Sequence, residues 1–599
     1  MTIQELLSVE KIVDILQNQS PQDQRITLAE MKIEASKMHL IRDFNNAVKE
    51  ANTEVRRRQL GKPLADVPEP ITDNAGYDIT ELGIYLPMQN SSLEICPYPL
   101  FITERYQDID DGTEKVKIVY KRDNAWREII VPRNTIANAS KIIQLADSAT
   151  GINSENAKAV VRYLSDIESA NRYTIPTKYA TARLGWTEYG FVPFIDNITF
   201  TGAETYAQLY DKFHAKGDFN VWRKLSVACL KYPLPRIITA AAYASLLLKH
   251  IGVNGFCVHI WGESGRGKTV ALMLAASVYG DADPKSGIIR NGKTTSNGIE
   301  PVLGFFNDCA VIFDELTTLS QEQITDMVYK FAQGQGKGRM TKSAGLQKSY
   351  TWNNVAILSA EKPLTDNKTM SGAINRVISL YAEGAVFGDL DMVHIANTLR
   401  ENYGFGARLF IDALNTVDVQ AIYKKYVAEI DDRIEQKQAN AAAVILTAYE
   451  IAAKHVYGID NVMTADDIIQ YLATKNEVSV SERAYENLMS WVEANYVYFD
   501  DSDINQSKWG FYGQNGDMIH IYYTRFVEFC ERNGYQPTAI LREWRVKDLI
   551  KTRARNELKN NVRVKGVLCS NMITVLLKKY QRESEQRLIE VEYDGELPF

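Results

Sequence analysis

A glycine-rich stretch of eight residues carries the clearest chemistry in the sequence. It reads GESGRGKT, directly after the apolar run FCVHIW at 256–261 and directly before a run rich in alanine and leucine. Glycines let backbone N–H groups surround a phosphate, and the N-terminus of a following helix adds positive potential. The pattern G-x-x-x-x-G-K-[ST] thus stands in the strand–loop–helix context that it requires. The predicted phosphate-binding residues are Gly262, Glu263, Ser264, Gly265, Arg266, Gly267, Lys268 and Thr269.

Lys268 and Thr269 have the side chains of this loop that act on a nucleotide. A lysine at this position reaches the β- and γ-phosphates, and a threonine hydroxyl directly after it ligates Mg²⁺. We therefore expect ATP and Mg²⁺ as cofactors; the alternative is a chance match in a glycine-rich turn. A second match, GIIRNGKT at 287–294, has a bulky, β-prone interior and no apolar helix after it, so we predict a strand at 287–291.

Two carboxylates close the next apolar run along the chain. Residues 310–315 read AVIFDE, which predicts a buried strand that ends at Asp314 and Glu315. Asp314 would hold Mg²⁺ and Glu315 would polarise the attacking water in nucleotide hydrolysis. A strand that simply ends in a polar turn is the alternative. Residues 355–359 predict the following strand, with Ser359 as first choice for sensing the γ-phosphate and Asn354 or Glu361 as alternatives.

A basic segment lies between these two predicted strands. Residues 334–354 read GQGKGRMTKSAGLQKSYTWNN, which predicts a helix break followed by a hairpin. Its cations suit the phosphate backbone of DNA, whereas an ordinary solvated hairpin is the alternative. The predicted DNA-binding residues are Lys337, Arg339, Lys342 and Lys348.

Arg376 stands directly before the apolar run VISLY at 377–381, the predicted last core strand. An arginine there can point at the nucleotide of a neighbouring copy as an arginine finger. A plain surface arginine is the alternative. The predicted catalytic residues are Lys268, Asp314, Glu315, Ser359 and Arg376, and the predicted metal ligands are Thr269 and Asp314.

Length, charge and cysteine usage limit the classes of protein to which the chain can belong. The chain has 599 residues and a net charge of −7, so it can hold several domains but will not coat nucleic acid non-specifically. Its six cysteines and seven histidines show no metal-ligand spacing, and we expect reduced thiols in the core. The longest apolar stretch, 237–248, is too short for a bilayer. We expect a cytoplasmic protein without a signal peptide or a membrane partner.

Patterning divides the chain into five segments. Residues 1–75 predict a helical region, with one helical pattern from Leu28 to Arg58, and a linker; residues 76–215 predict a β-rich domain with a meander over 80–133. Residues 216–388 predict the nucleotide-binding core, and residues 389–500 predict a helical lid or connector. Residues 501–599 predict a winged-helix-like domain, with a hairpin around Asn515-Gly516, and an acidic tail. The predicted fold class is α/β, a P-loop core with a parallel sheet.

In this order, the loop, the Asp-Glu strand, the basic hairpin and the arginine resemble the AAA+ ATPases of the helicase clade, the superfamily III viral helicases and the MCM proteins. The chain is closer still to a family known as a domain of unknown function in phage and mobile-element proteins. That family includes self-loading replicative helicases of staphylococcal pathogenicity islands and cassette chromosomes. Three stretches carry the resemblance: ARLGWTEYGFV (182–192), GKTTSNGIEPVLGFFNDCAVIFDEL (292–316) and SGAINRVISL (371–380).

The resemblance implies an ATP-dependent replicative helicase and initiator of a mobile element, with an AAA+ core. It implies a hexameric ring that translocates on single-stranded DNA, contacts duplex DNA at an origin and works with other replication proteins of the element. It places Lys342 at the DNA-gripping tip of the hairpin and Arg376 at the nucleotide of a neighbour. The alternatives are an ATP-switched origin-binding protein without unwinding and an AAA+ remodeller of proteins. We predict no primase activity, because the sequence shows no carboxylate cluster suited to it.

Overall fold

The structure is a computed structural model of the chain. It describes residues 2–88, 91–292, 296–316, 320–336, 339–340, 346–347, 349–364, 371–460, 462–500, 507–513, 516–552, 557–564 and 566–577. Contacts divide the chain into two units, residues 1–183 with 187–207 and residues 184–186 with 208–599. No helix in the described ranges is both long and apolar enough to cross a membrane.

The first unit begins with helices that bury their own small core. Serine side chains at positions 8 and 20 cap two of them, and Pro21 occupies a first-turn position where its missing N–H costs nothing. The predicted helical pattern from Leu28 to Arg58 is interrupted, because His39 adopts a left-handed φ of 59° and ends one helix before the next begins. The helices are Ile3–Leu6, Val9–Asn18, Pro21–Lys37 and Ile41–Leu60.

The rest of the first unit is built on a five-stranded sheet. Three consecutive antiparallel strands at one side of the sheet confirm the predicted meander, and helix Ala157–Ala170 covers one face with buried apolar residues. In spatial order the strands are Ile198–Phe200, Thr177–Thr181, Leu100–Asp108, Glu114–Arg122 and Ala125–Pro132. Smaller elements are the strands Asp78–Thr80, Gly83–Pro87, Ser92–Cys96 and Gly190–Val192 and the helices Arg133–Ile136, Ala139–Ile142 and Ile143–Ser148.

The second unit is built on a parallel sheet of five strands, which we call the core strands and number in chain order. They are Cys257–Trp261, Arg290–Asn291, Val311–Asp314, Ala356–Ala360 and Val377–Tyr381. Their spatial order is second, third, fourth, first, fifth, and all neighbours are parallel. Continuous apolar runs form these strands because both faces of the sheet are covered. The predicted strand at 287–291 is limited to its last two residues, and an apolar helix, Ser296–Phe306, follows it where the sequence predicted none.

Helices cover this sheet on both sides. Helix Pro233–Ile251 is almost fully buried and packs against helix Gln436–Ala452, because both are rich in alanine. Helix Gln321–Gln333 begins with a capping box, in which Ser320 and Gln323 cap each other. The remaining helices of this region are Phe219–Cys229, Lys268–Ala276, Ser296–Phe306, Ser371–Ile374, Met392–Glu401, Gly406–Leu414, Val419–Glu429, Ala453–Tyr457, Asp466–Ile469 and Lys475–Val478.

The C-terminal part combines helices with a four-stranded antiparallel sheet around one core. Trp544 is fully buried there and donates from its ring nitrogen to the Ser481 carbonyl at 2.8 Å, which ties two helices together. The helices are Val480–Ala494, Tyr523–Arg532 and Pro537–Val546, and the strands in spatial order are Gly510–Tyr512, Met518–Tyr522, Val567–Leu576 and Asn560–Val564. The predicted hairpin before residue 523 is confirmed by its paired strands.

All six cysteines are free and buried, as the sequence predicts. Burial raises the pKa of the thiols at positions 96, 229 and 530 to about 12. A thiol with so high a pKa is a poor nucleophile and a poor metal ligand. These cysteines therefore fill the core.

Candidate functional site

The predicted phosphate-binding loop joins the first core strand to helix Lys268–Ala276. Gly262 and Gly267 have φ angles of 142° and 97°, which favour glycine. A Cβ atom would also lie 2.8 Å from the Ala382 carbonyl at the first position and 2.6 Å from the Met392 sulfur at the second. The loop therefore closes against the segment after the fifth core strand, and this close approach requires glycine at both positions.

Lys268 folds back across the loop. Its Nζ donates to the carbonyls of Gly262 at 2.9 Å and Glu263 at 2.7 Å. An ammonium has three N–H donors, so one remains to point at an anion while the other two hold the side chain in position. Beside it, Arg266 donates to the carboxylate of Glu263 within the loop. The loop thus presents a fixed positive charge above the start of its helix.

Three segments that are distant in sequence meet at Asp314. The Thr269 hydroxyl donates to one carboxylate oxygen at 2.9 Å, and the Ser359 hydroxyl donates to the other. These residues meet because carboxyl ends of neighbouring parallel strands lie at one edge of a sheet, where ligands bind in such folds. A carboxylate and a hydroxyl side by side offer the oxygen ligands that Mg²⁺ prefers.

Glu315 leaves the third core strand with a left-handed φ of 66°. Such a backbone costs a residue with a side chain roughly 1–2 kcal/mol. Two hydrogen bonds to Ser359 offset this cost: the N–H of Glu315 donates to the hydroxyl at 3.2 Å, and the N–H of Leu316 donates to the carbonyl at 3.0 Å. The strained turn directs the Glu315 side chain into the wall of the cavity next to the loop.

A cavity of about 470 Å³ joins these groups. The phosphate-binding loop lines one side, Asp314, Glu315 and Ser359 line the second, and helix Met392–Glu401 lines the third. The volume is in the range of nucleotide-sized ligand pockets. The lining residues contributed by the helix are Met392, Val393, Ala396, Asn397 and Arg400.

Arg400 is a lining residue that our sequence reasoning missed. It donates to the Asp283 carboxylate at 2.8 Å and to the Asn397 side-chain carbonyl at 2.9 Å. Burial raises the pKa of Asp283, but the N–H of Lys285 and the Arg400 guanidinium outweigh it, so this pKa lies below its usual value. A signal was present: lining positions 393, 396, 397 and 400 follow helical spacing, on the face opposite the buried Ile395 and Leu399.

His259 lies in the middle of the first core strand, fully buried below the loop. Neither ring nitrogen has a hydrogen-bond partner among the described residues. Burial, together with the nearby Lys268 ammonium, lowers the pKa of His259 to about 3. The imidazole is therefore neutral near pH 7 and is not a proton donor to the cavity.

The structure separates one predicted catalytic residue from the others. Arg376 lies before the fifth core strand, at the amino end of the sheet, whereas the loop follows the first core strand at the carboxyl end. Of the two alternatives to Ser359, Glu361 lines the cavity, but Asn354 is buried at the amino end of the fourth strand. The structure brings Lys268, Thr269, Asp314, Glu315 and Ser359 together around one cavity, and their catalytic roles stay predictions.

Most of the predicted DNA-binding hairpin lies outside the described residues. Lys337, Lys342 and Lys348 belong to that part of the chain. The backbone of Arg339 is described and pairs antiparallel with Gln347, as the predicted hairpin requires. The role of these four cations stays a prediction.

Two segments of the chain match known domain families. Residues 82–351 match the family described as a domain of unknown function, DUF927. Residues 479–579 match the family described as the Cch helix turn helix domain. No curated protein matches the chain. The C-terminal helices and strands are therefore those of a helix-turn-helix region.

Among solved structures, the chain is similar to one described as SCCmec type IV Cch, active helicase. The two are 17% identical over 85% of this chain and 99% of that chain, with a TM-score of 0.63. The apo A form of the NrS-1 C-terminal region is 12% identical over 79% of this chain and 96% of that chain, with a TM-score of 0.33. The first match shows a shared fold. The resemblance to cassette helicases is thus confirmed at the level of the fold.

Proposed function

We propose that this chain is an AAA+ ATPase that drives DNA unwinding. The observation that carries the proposal is the meeting of Lys268, Thr269, Asp314, Glu315 and Ser359 around one nucleotide-sized cavity. The strand order, with the loop-bearing first strand between the fourth and fifth, supports a P-loop core of the AAA+ type. A core with this loop and these acids hydrolyses nucleotide through positioning and electrostatics.

The cavity has the donors and ligands that ATP and Mg²⁺ need. Lys268 would contact the β- and γ-phosphates, and Thr269 and Asp314 would hold the metal through oxygen atoms that already lie within hydrogen-bond distance. Bound Mg²⁺ would supply positive charge to the phosphate oxygens. Glu315 would accept a hydrogen bond from the attacking water, and Ser359 would link the γ-phosphate side of the cavity to Asp314 and to the Glu315 backbone.

The biological role that we propose is a replicative helicase and replication initiator of a mobile genetic element in the cytoplasm. Similarity to a structure described as an active helicase supports it, as does the match of residues 479–579 to a helix-turn-helix family. Helix-turn-helix domains place a helix in the major groove of duplex DNA. The chain would act as a ring, with six copies by analogy, on single-stranded DNA after contacting duplex DNA at an origin.

We also propose a role for each segment of the chain. Residues 216–388 would be the ATPase motor, and residues 389–500 would be its lid or connector. Residues 501–599 would dock on duplex DNA. Residues 1–75 would form an N-terminal region, and residues 76–215 would form a collar. The basic hairpin, with Arg339 in its described backbone, would grip the translocating strand. These assignments rest on the sequence pattern.

The test is ATP-dependent unwinding of a forked DNA duplex by the purified full chain. We expect wild-type protein to separate the strands and Lys268→Ala to lose this activity. The matched control is Lys424→Ala, which removes an exposed lysine from helix Val419–Glu429 and should unwind like wild type.

A second candidate is an ATP-switched origin-binding protein that does not unwind, which the helix-turn-helix match favours because docking on duplex DNA needs no motor. Its signature would be ATP hydrolysis and origin binding without strand separation on substrates with either tail. That result would replace the helicase proposal.

A further inference from the structure

A second recess lies at the amino end of the core sheet, around Arg376. It is about 230 Å³ in volume, and its charged lining residues are Arg376 and Lys437. Three amide side chains add polar donors, and no carboxylate is among the lining residues in the part of the chain that the structure describes. A recess lined by two cations and no acid suits an anion. The amide-bearing residues are Asn254, Asn375 and Asn440.

The Arg376 guanidinium is held in place by neutral groups. It lies over the Tyr329 ring at 5.2 Å from the ring centre, and its Nη1 donates to the Gly372 carbonyl and, at 3.4 Å, to the Asn375 side-chain carbonyl. A guanidinium carries five N–H donors, so most of them remain for a ligand. Its charge is uncompensated by any carboxylate within ion-pair distance among the described residues.

Lys437 enters the same recess from a different element, the first turn of helix Gln436–Ala452. The nearest acid in sequence, Glu435, is occupied by the helix backbone, because its carboxylate accepts the N–H groups of Lys437 at 2.7 Å and Gln438 at 3.3 Å. The ammonium is exposed and forms no ion pair with a described carboxylate. Two cations therefore share one recess, and neither has an ion-pair partner among the described residues.

Gln438 fixes these two cations relative to each other. Its side chain is 1% exposed and donates to the carbonyls of Ile374 at 2.9 Å and Val377 at 2.7 Å, which flank Arg376. Lys437 directly precedes Gln438, so the helix start and the arginine turn form one rigid assembly. A fixed geometry lowers the ordering cost of binding a ligand at both cations.

The recess is too far from the phosphate-binding loop of its own chain to act there. Cys257 pairs with Val377 beside Arg376, and Trp261 pairs with Tyr381 beside the loop. Four residues of strand separate the two ends, about 13 Å at the usual rise. Any phosphate held by Arg376 and Lys437 must therefore come from another molecule.

We propose that Lys437 acts with Arg376 as a second cation that contacts the terminal phosphates of a nucleotide bound to a neighbouring copy of this chain. This inference rests on the proposed ATPase function and adds Lys437 and Gln438 to it. A phosphate of the DNA backbone is the other anion to consider. The apolar residues Val253, Phe256 and Ala332 also line the recess, so its cations form a pocket for a single phosphate group. A site that binds a DNA strand instead places a row of cations along the strand.

The first measurement is steady-state ATP hydrolysis by Lys437→Ala beside the Lys424→Ala control. We expect kcat per subunit to fall about tenfold in Lys437→Ala, because one charge-assisted contact is lost in the transition state. The Kd for ATP should stay within about twofold of wild type, because the variant's own cavity is intact. A kcat equal to that of the control overturns the proposal.

Mixing two defective variants tests whether Lys437 acts on a neighbour. Lys268→Ala keeps both cations but has a defective loop, whereas Lys437→Ala keeps its loop. In a 1:1 mixture, about one quarter of head-to-tail interfaces join an intact loop to an intact lysine, so we expect about a quarter of the wild-type rate. If Lys437 acted only within its own subunit, the mixture would give about a twentieth, which overturns the proposal.

Three further outcomes separate this inference from the proposed function. Absence of any oligomer by light scattering with ATP and DNA present overturns the role of Lys437 on a neighbour. Weaker DNA binding by Lys437→Ala at unchanged kcat assigns the recess to DNA and also overturns it. Hydrolysis that survives in Lys268→Ala would instead contradict the proposed ATPase site itself.

Discussion

At the carboxyl end of the core sheet the phosphate-binding loop faces Asp314, Glu315 and a hydroxyl, whereas at the amino end Arg376 and Lys437 face amides. The first end has charges of both signs, and its groups already hydrogen-bond to one another. At the second end, the charged lining residues that the structure describes are both cations. Because the same five strands fix both ends, the comparison teaches that one sheet holds two sites of different charge, and we propose that a neighbouring copy brings them together.

The largest expected effect is at the carboxyl end. Lys268→Ala removes the ammonium that Gly262 and Glu263 hold over the loop, so ATP binding and hydrolysis should both be lost. We expect kcat/KM for ATP to fall by at least about 10³-fold. Arg376→Ala should lower kcat while ATP still binds. If Lys268→Ala and Arg376→Ala lost ATP binding equally, the two ends of the sheet would not differ in function.

Glu315→Gln should give the next largest effect. It separates ATP hydrolysis from ATP binding at the carboxyl end of the core sheet. The amide keeps the size of the side chain but accepts a hydrogen bond from water poorly, so kcat should fall about 10²-fold. The Kd for ATP, measured by fluorescence titration, should remain near that of wild type. If Glu315→Gln lost tight ATP binding together with hydrolysis, Glu315 would instead contribute to nucleotide binding.

At the amino end, Gln438→Met removes the hydrogen bonds to the carbonyls of Ile374 and Val377, the second of which is buried. We expect the free energy of unfolding of the second unit to fall by about 2 kcal/mol. Denaturant titration followed by intrinsic fluorescence measures it. Gln436→Met, at an exposed position of the same helix, is the matched control and should change stability little. Equal stabilities would mean that Gln438 does not secure the Arg376 turn.

The smallest effect concerns His259, midway between the two ends. Its pKa of about 3 lies below the usual value of 6.5, so the unfolded chain takes up this proton first as pH falls. Stability should therefore decrease below pH 6.5, by about 1.4 kcal/mol per pH unit from this residue. Unfolding of wild type and His259→Leu between pH 7 and pH 5 measures the difference in slope. Equal slopes in the two proteins would contradict a buried, neutral His259.

Local sequence signals predicted the strand, loop and helix at the carboxyl end of the core sheet. The glycine pattern from Gly262 to Lys268, the strand before it and the helix after it are neighbours in sequence, so the pattern contains its own structural context. The strand that ends at Asp314 is local for the same reason. Ser359 was found because polar residues at the ends of buried strands are few.

Non-local positions were predicted less well. The pattern from Leu28 to Arg58 gave no sign of the break at His39, because a left-handed residue other than glycine has no strong sequence signal. Arg400, Lys437 and Gln438 lie on helices that periodicity predicts, but periodicity says which face is buried and not what it packs against. Their roles became visible only when the helices were placed against the sheet.

The sequence by itself determined a glycine-rich loop between a strand and a helix, an acidic strand end, buried cysteines and an arginine turn, because each depends on residue type and on neighbours within a few positions. Tertiary structure decided that Thr269, Asp314 and Ser359 share hydrogen bonds and that Arg376 stands with Lys437 at the opposite end of the sheet. The physical reason is the parallel sheet: its crossovers bring strand ends together that are 45 or more residues apart in the chain.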